Sequence, residues 1–213
     1  MASLSELNIV ALTDHNTCKN CPAFFAAAEK YGIIPIAGME LTTSEDIHTV
    51  CLFENLSDAL KFDAYIDTQR VKIKNRPQFF GEQLILNEED ELIGKEDFLL
   101  SNATLISIDN VKEIVSSYGG ICYPAHIDRS SNGIIAVLGT IPPDTDFTLF
   151  GLHDGEKVAE YSERYGIPKE RFIISSDAHH LTDMRDKEFY FDLDTESDAP
   201  DEVRRKLFIM LRG

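Results

Sequence analysis

The chain has 213 residues, enough for one domain with a self-sufficient core, and its four cysteines (Cys18, Cys21, Cys51, Cys122) sit in core-like stretches, as in a reducing compartment. No apolar run of about 18 residues and no charged-then-apolar start occur, so no membrane span or secretory leader is expected, and the cytoplasm is the default location. The formal charge of −17 argues against non-specific binding to nucleic acid or anionic lipid. Bound divalent cations can reverse the sign inside a cleft, so a phosphate-bearing substrate stays compatible.

Strand-like and helical runs alternate along the chain. LNIVAL (7–12) reads as a buried strand, followed by a helix through CPAFFAAAEKYG, with Asn20 placed to cap it, Pro22 just inside its start and Gly32 at its end. IIPIAGMEL and HTVCLF (48–53) are the next strands, and Ser57 can cap a long helix running to about Asn75. Residues 76–100 are less regular, with EQLILNEEDELIG predicted as two short strands around an acidic turn, or as an excursion or lid over a single domain spanning 1–213. The helix NVKEIVSSYGG, the strand ICYPAH, the strand FTLFGL, the helix GEKVAEYSERYG and the strand RFIISSDAH continue the theme. EFYFDL and a helix from Asp201 to Leu211 follow. Repeated strand-then-helix units imply parallel strands with right-handed crossovers.

The polar residues gather where strands begin or end: Asp14 and His15, Glu40, His48, His126, and Asp177 with His179. Strand ends are where α/β barrels place their active sites. Imidazole and carboxylate together suit zinc, manganese or iron. In the D-x-H at 177–179, alternate residues of an extended segment aim both groups the same way. A lone histidine of this kind is usually structural, but so many histidine or acid clusters on one side of a barrel point to a metal site. His153 and His180 are not counted among the ligands, the first as an exposed or capping residue, the second as facing away.

Those residues lie in ALTDHN, AGMEL followed by His48, CYPAHIDR and SSDAHH, which resemble successive motifs of the polymerase and histidinol phosphatase (PHP) family of metal-dependent phosphoesterases. The resemblance implies an α/β fold, a distorted (β/α)7 barrel, with two or three divalent ions (Zn, Mn or Fe). It implies Glu40 as a bridging carboxylate, His48 and His126 on one ion, Asp177 on another, and His15 with His179 on a third. The family normally opens with a strand bearing H-x-H, and no H-x-H occurs in this sequence. The expectation is that the first strand and part of the first helix, about 35 residues, are lacking. A barrel edge beside LNIVAL would then be open, and open edges invite association, here as a homodimer.

The thiols of C-x-x-C (18–21) compete with Asp14 and His15 for the chemistry of this loop, either as a redox pair or as half of a zinc knuckle. Their expected role is to begin the helix after the metal-binding turn, and Cys51 and Cys122 read as small core residues. The expected reaction is hydrolysis of a phosphomonoester or small nucleotide phosphodiester by a water whose pKa is lowered between cations. Arg129, three residues after His126 and just before SSNG, is the expected substrate-phosphate ligand, and Asp14 the residue that orients its neighbour or a water. The expected partner is a small phosphorylated substrate or short nucleotide. The alternatives are a non-catalytic metal-binding module and a zinc amidohydrolase-type barrel, though no strand-end lysine suited to bridging metals is evident.

Overall fold

The computed structural model describes residues 1–213. Its elements are β1 (Ile9–Leu12), α1 (Cys21–Lys30), β2 (Ile34–Thr42), β3 (His48–Phe53), α2 (Leu56–Gln69), α3 (Pro77–Phe80), β4 (Leu84–Leu86) and β5 (Leu92–Lys95). They continue with α4 (Ile108–Ser117), β6 (Ile121–Pro124), α5 (Ile134–Leu138), β7 (Phe150–Leu152), α6 (Val158–Tyr165), β8 (Phe172–Ile174) and α7 (Pro200–Arg212). No helix is long and apolar enough to cross a membrane.

The scaffold is a four-stranded sheet in the order β1-β2-β3-β6, accompanied by the separate pairs β4-β5 and β7-β8. β2 is buried over eight of its nine residues because both faces are covered. Alternation along it sends Ala37, Met39 and Leu41 into a large core that also holds Phe53, Phe62, Ile66, Val111 and Val115. Ile36 faces the other way, into a smaller core with Leu52, Ile121, Tyr123, Leu207 and Phe208, to which α7 contributes. Gly38 is where the backbones crowd: a Cβ there would lie 2.8 Å from Cys51 O and 2.9 Å from side-chain atoms of Leu52 and Thr13.

The ladders correct the expected topology. β1-β2 and β7-β8 are parallel, but β3 runs antiparallel to both β2 and β6. The link from Thr42 to His48 is too short for a crossover, so the chain folds back as a hairpin. A closed (β/α)7 barrel is not formed: the sheets are open, and β1 lies on an edge. α2 starts at Leu56 after Asn55 and ends at Gln69, not at Asn75, because Arg70 leaves the helix in an extended conformation. Glu188–Leu193 forms no strand. The hairpin predicted in 82–94 is present as β4-β5.

The stretch between α2 and α4 is an excursion held by its own contacts. Arg70 and Lys74 bridge to Thr104 and Phe98, and the buried guanidinium of Arg70 lies 3.5 Å from Glu96 and donates to Phe98 O at 2.9 Å. Lys19 reaches the same Glu96 carboxylate from the loop before α1.

At the start of α4, Glu45 accepts from Ser107 Oγ (2.8 Å) and from Ile108 N (2.9 Å). Burial pushes the Glu45 carboxyl upward, but the hydrogen bonds from Ser107, Ile108 and Thr43 outweigh it and hold it below its ordinary 4.5. Glu45→Ala is expected to reduce unfolding free energy by about 1–2 kcal/mol at pH 7. A carboxyl depressed in the folded state contributes fully above the unfolded value, and loses that contribution as pH falls through the folded one. The urea midpoints of wild type and variant should therefore converge below pH 4.5; an equal gap at every pH would refute this role.

Candidate metal centre

Strand alternation builds the centre. Glu40 stands opposite Val50, and Thr42 opposite His48, in the β2-β3 ladder, so Glu40 and His48 share a sheet face. After β1 the chain stays beside β2: Glu40 N–H donates to Asp14 O (3.1 Å), Asn16 N–H donates to Glu40 O (3.0 Å), and His15 bridges to Glu40. The β3-β6 pairing continues one step further, with Ala125 N–H donating to His48 O at 2.9 Å, which delivers His126 next to His48.

Three imidazoles thus surround one carboxylate. His15 Nδ1 is 3.4 Å from Glu40 Oε2, His48 Nδ1 is 3.4 Å from Oε1, and His126 Nε2 is 3.3 Å from Oε1. Potential ligand atoms of His15, Glu40 and His48 lie within 4.8 Å of one another. Ring centroids are 5.1 Å apart for His15–His48 and 5.4 Å for His48–His126. Burial would raise the Glu40 carboxyl, but hydrogen bonding to His126 and His48 and the charges of His48 and His15 keep it ionised well below the usual carboxylate range. Burial pushes the His15 imidazole below its ordinary value against the pull of Glu40, which favours the neutral, ligating form. Buried His15 Nδ1 and His126 Nδ1 lack a hydrogen-bond partner. Lone-pair donors buried around an ionised carboxylate fit a divalent cation, and the residues that would hold it are His15, Glu40, His48 and His126.

Asp177 and His179 stand at the rim, apart from that tight group. Asp177 adopts a left-handed backbone (φ 49°), as does His126 (φ 28°), an unusual conformation for both that turns the chain at the centre. His179 is the more exposed; its Nδ1 is 3.9 Å from Asp177 Oδ1, and its ring is 6.0 Å from that of His15. Arg129 Nη1 pairs with Asp177 Oδ2 at 2.7 Å, so these two expected site residues meet directly. The Asp14 carboxylate does not point to the imidazoles: it accepts from Asn20 Nδ2 at 3.0 Å, and burial raises its pKa.

Several contributors are invisible at the motif level. Asn16, fully buried, accepts from Thr42 N (2.9 Å) and donates to Leu100 O (2.6 Å) and Asn102 O (2.9 Å), which ties the excursion to the residue beside His15. Asn20 does not cap α1 with its side chain; it joins Asp14 to the β4 backbone at Leu84 and Leu86. The buried Asp128 accepts from the backbones of His153 (2.8 Å) and Asp154 (2.9 Å). His153 is thereby held between two guanidiniums, 3.2 Å from Arg129 and 3.5 Å from Arg185. Asp128 had a signal in its position within HIDR; Arg185, in an irregular segment, had none.

The cysteines take no part. Cys18 and Cys21 are buried, the Cys18 thiol donates to Gly38 O at 3.1 Å, and its pKa is pushed up by Cys21 and by burial. Cys51 and Cys122 face each other across β3 and β6 as free thiols.

An open α/β sheet with a polyhistidine centre around a shared carboxylate defines a metal-binding domain of the strand-end type. The PHP domain family model matches residues 1–165, and the chain belongs to that family. No curated protein matches it in sequence. Among solved structures it is similar to Endonuclease Q in complex with a 27-mer duplex substrate carrying an abasic lesion at the active site, with TM-score 0.60, 16% identity, and 96% of this chain and 49% of that chain covered. It is also similar to the lesion-specific endonuclease PfuEndoQ from Pyrococcus furiosus, with TM-score 0.52, 16% identity and coverage of 96% and 48%. The chain spans about half the length of these neighbours. Their fold, one of them holding a duplex, corrects the expectation that the acidic balance argues against non-specific nucleic-acid binding and leaves only a small or short substrate. Net charge is a sum over the whole surface, whereas a polyanion meets the local field of a cleft and its cations.

Glu40→Gln removes the carboxylate that the three imidazoles share and is expected to weaken Mn²⁺ or Zn²⁺ binding by at least about 100-fold, beyond what loss of an outer-shell partner costs. Calorimetric titration should show this, while Cys21→Ser leaves stoichiometry and affinity unchanged. Equal affinity in wild type and E40Q would refute the assignment.

Proposed function

We propose that the protein is a metal-dependent phosphoesterase that hydrolyses phosphodiester bonds in nucleic acid. The observation that carries this reading is the ionised Glu40 ringed by His15, His48 and His126, with an arginine one residue's reach away at Asp177. Divalent cations bound there would supply Lewis-acid polarisation of phosphoryl oxygens and an acidified water. Zinc, manganese and iron all suit the donor set.

The protein's own residues do the rest. Glu40 with His15, His48 and His126 would hold a cation against the sheet face, and Asp177 and His179 would extend that donor set to the rim. Asp14 is a positioning residue: through its backbone and Asn20 it fixes the loop that presents His15. Arg129 offers a planar fork to phosphoryl oxygens, exchanging its contact with Asp177 for the substrate. Arg185 adds a second guanidinium, and His153, which burial and the two arginines keep below its ordinary pKa, separates them without a further charge. The family supports the reaction class, and the duplex-bound Endonuclease Q supports a nucleic-acid substrate.

With Mn²⁺ added, bis(p-nitrophenyl) phosphate and a labelled oligonucleotide should both be cleaved. Arg129→Ala should lower kcat/KM by about 100-fold or more, the scale of losing one directed donor to developing charge. Arg129→Lys should recover only part of it, because the bidentate fork is lost. No turnover of either ester with Mn²⁺, Zn²⁺ or Fe²⁺ would overturn the reading.

A further inference from the structure

We propose that the arm Val71–Phe80, which leaves α2 after the buried Arg70, is a docking surface for single-stranded nucleic acid, with Lys74 and Arg76 on its phosphates and Phe79 and Phe80 stacked on its bases. This rests on the phosphodiesterase reading and adds the surface that holds the strand.

In a chain with 37 acidic and 20 basic residues, the run RVKIKNR (70–76) holds four basic residues and no acid. Two of the four are engaged: Arg70 is buried against Asp67 and Glu96, and Lys72 pairs with Asp67 at 2.7 Å. Lys74 and Arg76 are exposed and have no carboxylate within ion-pair distance. Next to them Phe79 is 74% and Phe80 59% exposed, on a short helix that buries none of its residues. Neither ring packs into a core, so neither is explained by the fold.

The arm is anchored to the centre. Asn75 N–H donates to Asp97 O (2.8 Å) and Leu99 N–H to Ile73 O (2.8 Å), so the arm is paired with the 97–104 return segment. That segment is fixed by Asn16, next to His15, through Leu100 and Asn102, and by Thr104 N–H donating to Thr42 O at the end of β2. The arm is thus joined to the loop of His15 through one intervening segment.

Cations beside bare aromatic rings match a ligand that presents phosphates and unstacked bases together. An anionic bilayer also attracts basic and aromatic side chains, but a bilayer is a plane, and the same excursion carries Glu88, Glu89, Asp90 and Glu91 in its hairpin turn. A single strand follows a line and can avoid them.

The test is fluorescence anisotropy of a labelled thymidine oligomer of about 20 nucleotides, long enough for one binding site, with the full chain in EDTA so that nothing is cleaved. Lys74→Gln/Arg76→Gln should weaken binding about tenfold and flatten the slope of log K against log salt by about 1.4, or 0.7 per lost phosphate contact. Phe79→Ala/Phe80→Ala should weaken binding by about tenfold or more without changing that slope, since stacking releases no counterions. Both variants should keep the wild-type melting temperature and, with Mn²⁺, the wild-type turnover of bis(p-nitrophenyl) phosphate. Wild-type affinity in both double variants, or no binding by the wild type at low salt, would overturn the proposal. So would phosphatidylserine-vesicle binding that falls in the variants while oligomer binding does not. Variant-sensitive strand binding would support the arm even if no ester were hydrolysed, so the two readings fail separately.

Discussion

One buried, ionised carboxylate organises this molecule. A lone carboxylate on a nearly solvent-free sheet face would neutralise or destabilise the strand that carries it. Glu40 stays charged because three imidazoles from three separate segments converge on it. That convergence fixes much else: β3 must fold straight back on β2 to bring His48 alongside, β6 must pair beyond its end to deliver His126, and the loop after β1 must hug β2 to present His15. Asn16 and Asn20 then serve as the bolts of that loop, because a ligand on a free loop would be imprecisely placed.

Glu40, His48 and His126, which the structure brings together, stand where residue chemistry and strand period coincide. They could be picked out because a charge or an imidazole inside or at the end of an apolar run is conspicuous, and alternation says which residues share a face. The hairpin at 84–95 was legible from two apolar runs around an acidic turn. Strand direction was not, since it depended on a link too short for a crossover. The end of α2 was missed because Lys72 and Lys74 are compatible with a helix; Arg70 leaves it for tertiary contacts with Glu96, Phe98 and Thr104, which no local pattern reveals. Asn20 looked like a cap and is instead a cross-brace, which only the distant position of β4 explains. Sheet closure depends on how far apart ladders end, a quantity that the order of motifs does not contain.

Charge was the least transferable inference. A total of −17 describes the mean field and says nothing of how charge is distributed over the surface. The segment 70–76 has the opposite sign, and Arg129 and Arg185 flank His153 beside the imidazoles. An acidic protein can thus keep local basic groups without a cationic surface.

The Arg129–Asp177 pair shows how the two kinds of charge at the rim depend on each other. The two charges lie 2.7 Å apart, although Asp177 Oδ2 accepts no well-aligned hydrogen bond. A cation on Asp177 and a phosphate on Arg129 would both draw on that one contact, and breaking it costs the same whichever comes first. Once one has bound, the other meets a group already released, so by linkage each favours the other.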